Sequence, residues 1–313
     1  MIFISIFERG ETYVHRTDTR QKVGDNWVKT NVSKVSLSIY DPCGHTLILN
    51  QSMTSDPVGK YYYNYNLSSS ATYGRYKTIT TAYSTGGNIS INQNKFYIMP
   101  WKLEDEIRSI TGAADEKSIN DDDLSHIAWM SYIESLHDIY GHHYGETPLS
   151  NPDTGAYFDG SNTAFQIPYH PIADIGGDGV VTGWGQQSCG TDVNFWWINS
   201  AGSRQQGYAT VTNAANGEIT LTQSSGAAVP SDNEGTYLDY WTEYNTYNSF
   251  ILEQAVTYLA AHYISLRFAE IDKVNMADIR NSNPLLVINP KRFKDEYYRK
   301  IDFVRPPLAM GVA

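Results

Sequence analysis

Alternation of apolar and polar residues dominates the first hundred positions of the chain. Val35, Leu37 and Ile39 alternate with serines, and residues 61–67 are aromatic at alternate positions. A period of two is typical of half-buried strands, and turn residues (Asp-Pro-Cys-Gly at 41–44) follow the first of them. Further strand-like runs cover residues 74–83 and 89–99. Short strands at this spacing predict a β-sandwich over residues 1–99.

A helical period begins at residues 100–101. Leu103, Ile107 and Ile110 recur on one helical face, and Gly112 suits a C-cap. Residues 120–123 (Asn-Asp-Asp-Asp) then predict the start of a longer helix, because acidic side chains in a first turn meet the positive end of the helix dipole. The apolar stripe that follows predicts helix to about residue 144. Residues 100–144 are therefore assigned to a helical core.

Strand patterning returns over residues 145–245. The predicted strands lie at residues 163–167, 193–198, 209–212, 218–221 and 236–241. Glycine, asparagine and proline separate these runs, as they do between strands. The pattern predicts a β-domain inserted into the helical core.

The helical period resumes near residue 248. A wide apolar face runs from residue 250 to 268, and Ala260-Ala261 allows close helix approach. Pro290 suits a first helical position, and Phe293, Tyr297 and Ile301 recur at a spacing of four. Residues 246–313 thus supply the second part of the core. The predicted fold is a multidomain α+β protein, with a helical core that is discontinuous in sequence.

Charge narrows the function classes. The 313 residues carry a formal net charge of −11, which argues against a general nucleic-acid coat because such a coat needs a basic face. In residues 145–245, Arg204 is the only basic side chain and stands against eleven acidic ones. The sequence therefore predicts an acidic surface on the inserted β-domain.

Cysteine content and apolar runs bear on the cellular compartment. Cys43 and Cys189 lie in different predicted domains, so a disulfide framework is not expected and a reducing compartment is favoured. The apolar run at the first residues is too short for a signal-peptide core, and no segment approaches a membrane span. The sequence predicts a protein made in the cytoplasm and used there or in a particle assembled there.

Two groups of residues contain side chains that could bind a metal ion. His126, His137, His142 and His143 lack the spacing of four that zinc-binding histidines show on a helix. Asp174 and Asp178 begin a sequence similar to a calcium loop, but Gly185 stands where a closing glutamate is required. We interpret this stretch as a glycine-rich turn and expect neither metal nor cofactor.

Short catalytic motifs are missing from the sequence. It contains no Gly-x-Ser-x-Gly elbow, no phosphate-binding glycine-rich loop and no His-Glu-x-x-His. Catalytic groups can be dispersed along a chain, so a hydrolase with separated carboxylates stays open. A non-enzymatic role is the expectation.

The two helical parts resemble the head-tail connector (adaptor) proteins of tailed viruses. The resemblance rests on residues 118–124 (Ser-Ile-Asn-Asp-Asp-Asp-Leu) opening a long helix, on residues 252–263, and on residues 293–301 before an extended tail. Residues 165–174, 217–221 and 238–241 resemble the β-insertion of some adaptors. Residues 41–44, 58–63 and 73–76 resemble an immunoglobulin-like decoration. Simple adaptors lack both β-domains.

The resemblance implies a mechanical function. A homododecameric ring would extend the portal channel in the virion neck, bind the portal and the tail or stopper proteins, and let double-stranded DNA pass. No membrane partner is implied, and assembly takes place in the host cytoplasm. The acidic balance suits a DNA channel, because like charge keeps the duplex from adhering to its wall.

The last ten residues are predicted to bind the portal. Their two prolines exclude a helix and favour an extended segment. The predicted portal-binding residues are Arg305, Pro306, Pro307, Leu308, Met310 and Val312. Leu308, Met310 and Val312 alternate and would form one apolar face.

The chief alternative is a modular binding protein of a virion fibre or cell surface. Its β-domains would hold a glycan or a receptor, which the 13% aromatic content and the Trp196-Trp197 pair favour. The divided helical part favours the adaptor instead.

Overall fold

The computed structural model describes ten stretches of the chain. They are residues 6–23, 25–84, 86–87, 89–112, 119–149, 160–186, 190–229, 235–243, 249–271 and 290–304. The chain divides into two compact units, Met1–Trp129 and Met130–Ala313. The division falls within a helix, and the four predicted domain ranges remain predictions.

In the described part of the first unit there are ten strands, one complete helix and the start of another. The elements are β1 (Ile6–Phe7), β2 (Thr12–Asp18), β3 (Arg20–Val23), β4 (Asn26–Lys29), β5 (Lys34–Tyr40), β6 (Thr46–Ser52), β7 (Thr54–Ser55), β8 (Lys60–Asn66), β9 (Gly74–Tyr83), β10 (Ile89–Ile98), α1 (Glu104–Thr111) and α2 (Asp121–Ile139). They form a five-stranded sheet in the order β1-β10-β9-β5-β6, a three-stranded sheet β2-β8-β7, and a separate two-stranded hairpin β3-β4.

One hydrophobic core lies between the two larger sheets of the first unit. Leu37 and Ile39 of β5 join Tyr13 of β2 and Phe96 of β10, whose rings stack with centroids 4.0 Å apart. His15 of β2 is buried and its Nε2 lies 2.8 Å from Thr80 Oγ1 on the five-stranded sheet. Burial lowers the pKa of this imidazole to about 4, so the His15 side chain is uncharged in the core at neutral pH.

Capping residues fix the C-terminal end of α1 and the start of α2 as the sequence predicts. Gly112 takes the left-handed conformation at the end of α1, with φ 69°. Asn120 Oδ1 accepts the Asp123 N–H at 2.8 Å, which caps α2. Arg108 donates to Asp121 Oδ1 at 2.5 Å, so the two helices are held together by an ion pair.

Within its described residues, the second unit holds the end of α2, six strands and two helices. The elements are β11 (Gly141–Glu146), β12 (Ala164–Gln166), β13 (Val193–Ile198), β14 (Arg204–Asn213), β15 (Glu218–Gln223), β16 (Gly235–Thr242), α3 (Ser249–Ile271) and α4 (Pro290–Val304). The strands form one sheet in the order β11-β16-β13-β14-β15-β12. The five predicted strands of this region all overlap observed ones.

Hydroxyl and carboxylate groups tie the helices of the second unit together. The Tyr263 hydroxyl of α3 donates to Glu134 of α2 at 2.6 Å. The Tyr297 hydroxyl of α4 donates to Asp138 of α2, also at 2.6 Å. Tyr297 is almost completely buried, and α4 packs along α3. The helices thus form a layer of the second unit.

The predicted α+β fold with a helical core is wrong. Strand makes up 42% of the chain and helix 25%, and the strands form four sheets. The helices are also divided, because α1 and the start of α2 belong to the first unit. The physical reason lies in the buried side chains. Among the largest fully buried ones, Tyr76, Phe96, Phe165, Phe195 and Tyr240 all lie on strands.

The predicted extension of α2 to residue 144 is also wrong. The helix ends at Ile139, and β11 begins at Gly141. Residues of β11 pair with β16, where His142 lies opposite Trp241 and His143 opposite Tyr240. This pairing joins residues about a hundred positions apart, and it removes two of the four histidines from the helix.

Candidate functional site

The predicted portal-binding residues lie outside the described part of the chain. They are Arg305, Pro306, Pro307, Leu308, Met310 and Val312. Their role stays a prediction. The helix that precedes them ends with a buried Val304 and an exposed Phe303, whose side chain is 74% exposed.

Of the four histidines, His126 lies in the first unit and the other three lie in the second. His126 lies beside the Tyr97 hydroxyl at 3.1 Å in the first unit. In the second unit, the ring of His142 stacks on Trp241 at 4.4 Å, and His137 meets the same indole edge-on. His143 lies against Tyr240, with ring centroids 5.1 Å apart. Among the described residues, none of them belongs to a group of three close metal ligands.

One group of close potential ligands lies in the β5-β6 turn. Side-chain atoms of Asp41, Cys43 and His45 lie within 4.8 Å of one another. The Cys43 sulfur is in a disulfide, so it is not a thiolate ligand. The disulfide corrects the expectation of reduced cysteines. Asp41 accepts the His45 backbone N–H at 2.7 Å and its ring nitrogen at 3.0 Å, which closes the turn.

The calcium-like stretch of the second unit gathers three carboxylates. Asp192, immediately before β13, accepts the backbone N–H groups of Ile175 at 2.8 Å and Thr182 at 2.7 Å. Asp174 accepts the Gly179 N–H at 2.5 Å, and Asp178 is buried beside them. Sequence reasoning missed Asp192, because it is fourteen or more positions away from the other two. These residues form the acidic loop.

Burial sets the protonation of the acidic loop. It raises the pKa of Asp174 to about 7, and the charge of Asp192 adds to the rise. It also raises the pKa of Asp192 to about 6, although backbone N–H groups of Thr182 and Gly176 favour the charged form. The loop can therefore hold protons near neutral pH. Its oxygens are also of the type that calcium prefers.

Helix packing fixes the position of the acidic loop. Gly177 has φ 64°, and a Cβ added there would lie 2.7 Å from the Ile133 side chain of α2. Only glycine combines this conformation with so close an approach. The predicted glycine-rich turn is therefore an anchored structure against α2. Asp178 and Asp192 are buried and do not contribute to the predicted acidic surface, which stays a prediction for the other acidic residues of this region.

One face of the six-stranded sheet carries a strip of aromatic side chains. Val193, Phe195 and Trp197 of β13 join the hydrophobic core. Trp196 lies between them in sequence, so it projects from the opposite face. Its indole has Tyr237 of β16 at 6.2 Å and Tyr144 of β11 at 5.7 Å between ring centroids. We call Tyr144, Trp196 and Tyr237, with Arg204, the aromatic strip.

Arg204 covers the central ring of the aromatic strip. Its guanidinium carbon lies 4.2 Å from the Trp196 ring centroid, a cation–π contact. Trp196 is only 6% exposed, whereas Tyr144 is 67% exposed. At the other end of the strip, a ring nitrogen of His142 contacts the Asp239 carboxylate. Within the strip, Tyr144 is an accessible phenol ring and Arg204 is an accessible cation.

Large apolar side chains are exposed on the first unit. The β3-β4 hairpin presents Trp27, which is 65% exposed, together with Val23 and Val28. On β10, Ile91 is 69% exposed and Ile89 is exposed beside it. Isolated two-stranded hairpins are of marginal stability in water, so this hairpin gains from contact with another surface. The sequence pattern did not single out these residues.

Comparisons with known proteins add no identification. No family model matches the chain, and no curated protein matches it. A solved tetra-tandem repeat from the extending region of a large adhesion protein is similar at 12% identity and TM-score 0.26, over 76% of this chain and 50% of that one. Escherichia coli alpha-2-macroglobulin activated by porcine elastase gives 14% identity, TM-score 0.24, and coverage of 76% and 16%. The chain spans no more than half of either structure. A similarity at these TM-scores supports no conclusion about function.

None of the helices within the described residues has both the length and the apolar content required to cross a bilayer.

Proposed function

We propose that this protein is a structural, non-catalytic component of the neck of a tailed virus. Copies of it form the adaptor ring between portal and tail, through which the genome passes. The proposal extends the resemblance of three sequence stretches to head-tail connector proteins. Residues 118–124 precede or open α2, residues 252–263 lie in α3, and residues 293–301 lie in α4.

The helical layer of the second unit supports a scaffold role. Tyr263 and Tyr297 bond α3 and α4 to carboxylates of α2, and α3 buries Ala260 and Ala261 completely. Small residues in a buried helix face permit close packing, which favours a rigid layer. A ring under the force of genome passage requires such rigidity.

Exposed apolar side chains are the observation that carries the proposal. Trp27 of the hairpin, Ile91 of β10 and Phe303 of α4 project into solvent in a single copy. Burial of each side chain against a neighbouring molecule would contribute roughly 1.5–3 kcal/mol of favourable free energy. In a ring, every copy has two neighbours, and the portal and tail supply further surfaces.

The C-terminal segment supplies the predicted contact with the portal. Phe303 is exposed at the end of α4, immediately before the predicted portal-binding residues. An extended, proline-containing segment loses little conformational entropy on docking. We propose that it binds the lower face of the portal.

A pair of substitutions on one strand tests the role of the exposed apolar residues. Ile91 and Gln93 are two positions apart on β10, exposed, and on the same face of the sheet. Ile91→Ser is expected to leave the circular dichroism spectrum unchanged and to weaken ring assembly at least about tenfold, the equivalent of about 1.4 kcal/mol. Gln93→Ser is the matched control. Equal assembly of both variants, measured by light scattering, would contradict the proposal.

A further inference from the structure

Strand register places one cation on an aromatic face of the six-stranded sheet. Arg204 begins β14 and pairs with Ile198, while Trp196 pairs with Gln206 on one side and Tyr237 on the other. Side chains two positions apart share a face, so the Arg204 side chain reaches along β14 toward Trp196. The register is set by the buried Val193 and Phe195 of the alternate face.

The Arg204 guanidinium is held in place by an aromatic ring. It lies over Trp196, and no described carboxylate forms an ion pair with it. Stacking uses the flat face of a guanidinium and leaves its N–H donors free at the edges. It also restrains the side chain, so less entropy is lost when a ligand binds. Arg204 is moreover the only basic residue among residues 145–245.

Neighbouring groups complete a surface for a polar ring. Tyr144 is 67% exposed and its ring lies 5.7 Å from Trp196, which leaves a flat apolar face open beside the cation. Asn194 and Gln206 lie on the same face and offer amide groups, and the Gln206 amide is itself fixed by a 2.8 Å bond to the Phe195 carbonyl. The Asp239 carboxylate is in contact with His142.

This combination selects a particular class of ligand. A guanidinium fork matches a carboxylate with two parallel hydrogen bonds. An exposed phenol ring packs against the C–H face of a sugar, and amides exchange hydrogen bonds with hydroxyls. A neutral sugar would leave the cation unused, and a simple carboxylate would leave the aromatic ring unused.

We propose that the aromatic strip is a binding site for a pyranose that bears a carboxylate. Arg204 binds the carboxylate, Tyr144 packs against the ring, and Asn194 and Gln206 bind hydroxyl groups. Uronates and sialates share this chemistry. The site is independent of ring assembly, so it adds glycan recognition to the proposed structural role.

Matched ligands test the site on the intact protein. Glucuronate and glucose differ only in the carboxylate, so saturation-transfer NMR should detect glucuronate and give at least about tenfold weaker binding for glucose. A sialyl oligosaccharide in a second arm distinguishes the two sources of acidic sugar. Binding of either one supports the proposal. Equal binding of acetate would overturn it, because the ring would then contribute nothing.

Substitutions locate the site. Arg204→Gln is expected to weaken acidic-sugar binding at least about tenfold, and Tyr144→Ala about three- to tenfold. Both side chains are exposed, so folding should survive and can be checked by circular dichroism. Arg292→Gln, at an exposed position of α4, is the control and should bind as the unmodified protein does. Undetectable binding of both acidic sugars, or equal binding by Arg204→Gln, would overturn the proposal whether or not the ring forms.

Discussion

The partly buried bond between α4 and α2 gives the most quantitative test of the helical layer. The Tyr297 hydroxyl donates to Asp138 Oδ2 at 2.6 Å, and the tyrosine is 1% exposed. Burial, followed by this bond to Asp138, raises the pKa of the phenol, so the hydroxyl stays protonated and acts as a donor at neutral pH. Tyr297→Phe removes the donor and keeps the packing of the ring.

The expected cost follows from the burial of the bond. A hydrogen bond to a charged group contributes about 1.5–3 kcal/mol when it is shielded from water. Tyr263 makes an equally short bond to Glu134, but Glu134 is exposed, so Tyr263→Phe should cost about 0.5–1 kcal/mol. Tyr298→Phe, on the exposed side of α4, is the control and should cost almost nothing.

Urea unfolding followed by far-UV circular dichroism measures the difference. The slope of unfolding should stay constant, so that a lower midpoint reports a lower free energy of unfolding. A double-mutant cycle with Asp138→Asn should return a coupling of about 1–2 kcal/mol for the Tyr297 pair. Equal losses for Tyr297→Phe and Tyr263→Phe, or a coupling near zero, would refute the view that this bond ties the layer together.

Three further predictions concern protons, metals and the C-terminal segment. Burial raises the pKa of Glu104 to about 7, so the fold favours its neutral form and stability should fall as pH rises from about 4.5 to 7; Glu104→Gln should flatten that dependence in urea midpoints measured from pH 5 to 8. Protein purified without added metal should contain no stoichiometric zinc or calcium by plasma mass spectrometry; calcium that is lost in Asp178→Ala would contradict this. Deleting residues 305–313, which spares the buried Val304, should leave the melting temperature unchanged and weaken portal binding at least about tenfold; unchanged binding would make the segment a loose end.

Local structure follows closely from local sequence signals. Gly112 and Asn120 cap their helices as predicted, and α4 begins at Pro290. The strand predicted at residues 193–198 matches β13 from end to end. These signals act within a few residues, through dihedral preferences and the alternation of side chains.

Long-range pairing is what the sequence could not supply. The helical pattern extends to about residue 144, yet residues 141–146 become β11 because β16 offers a strand edge about a hundred positions later. The predicted helical core failed for the same reason. The strands enclose their own cores, and those cores divide the helices between two units.

Candidate sites depend on the same long-range contacts. The acidic loop needs Asp192 beside Asp174, and the aromatic strip needs three strands in register to bring Tyr144 and Tyr237 to Trp196. The Trp196-Trp197 pair was noted in the sequence, but its two rings point to opposite faces of the sheet. Only one of them can serve a surface site, and Arg204 marks which one.

The mass of the assembled protein tests most directly whether the protein forms an adaptor ring on a portal. Native mass spectrometry of the purified protein, alone and mixed with its portal, counts the copies in each particle. We predict a closed ring of one size that contains twelve copies of the 35.2 kDa chain. This ring should form on the portal and stay bound to it. The adaptor-ring proposal would be contradicted if the protein stayed monomeric at every concentration and left the mass of the portal unchanged.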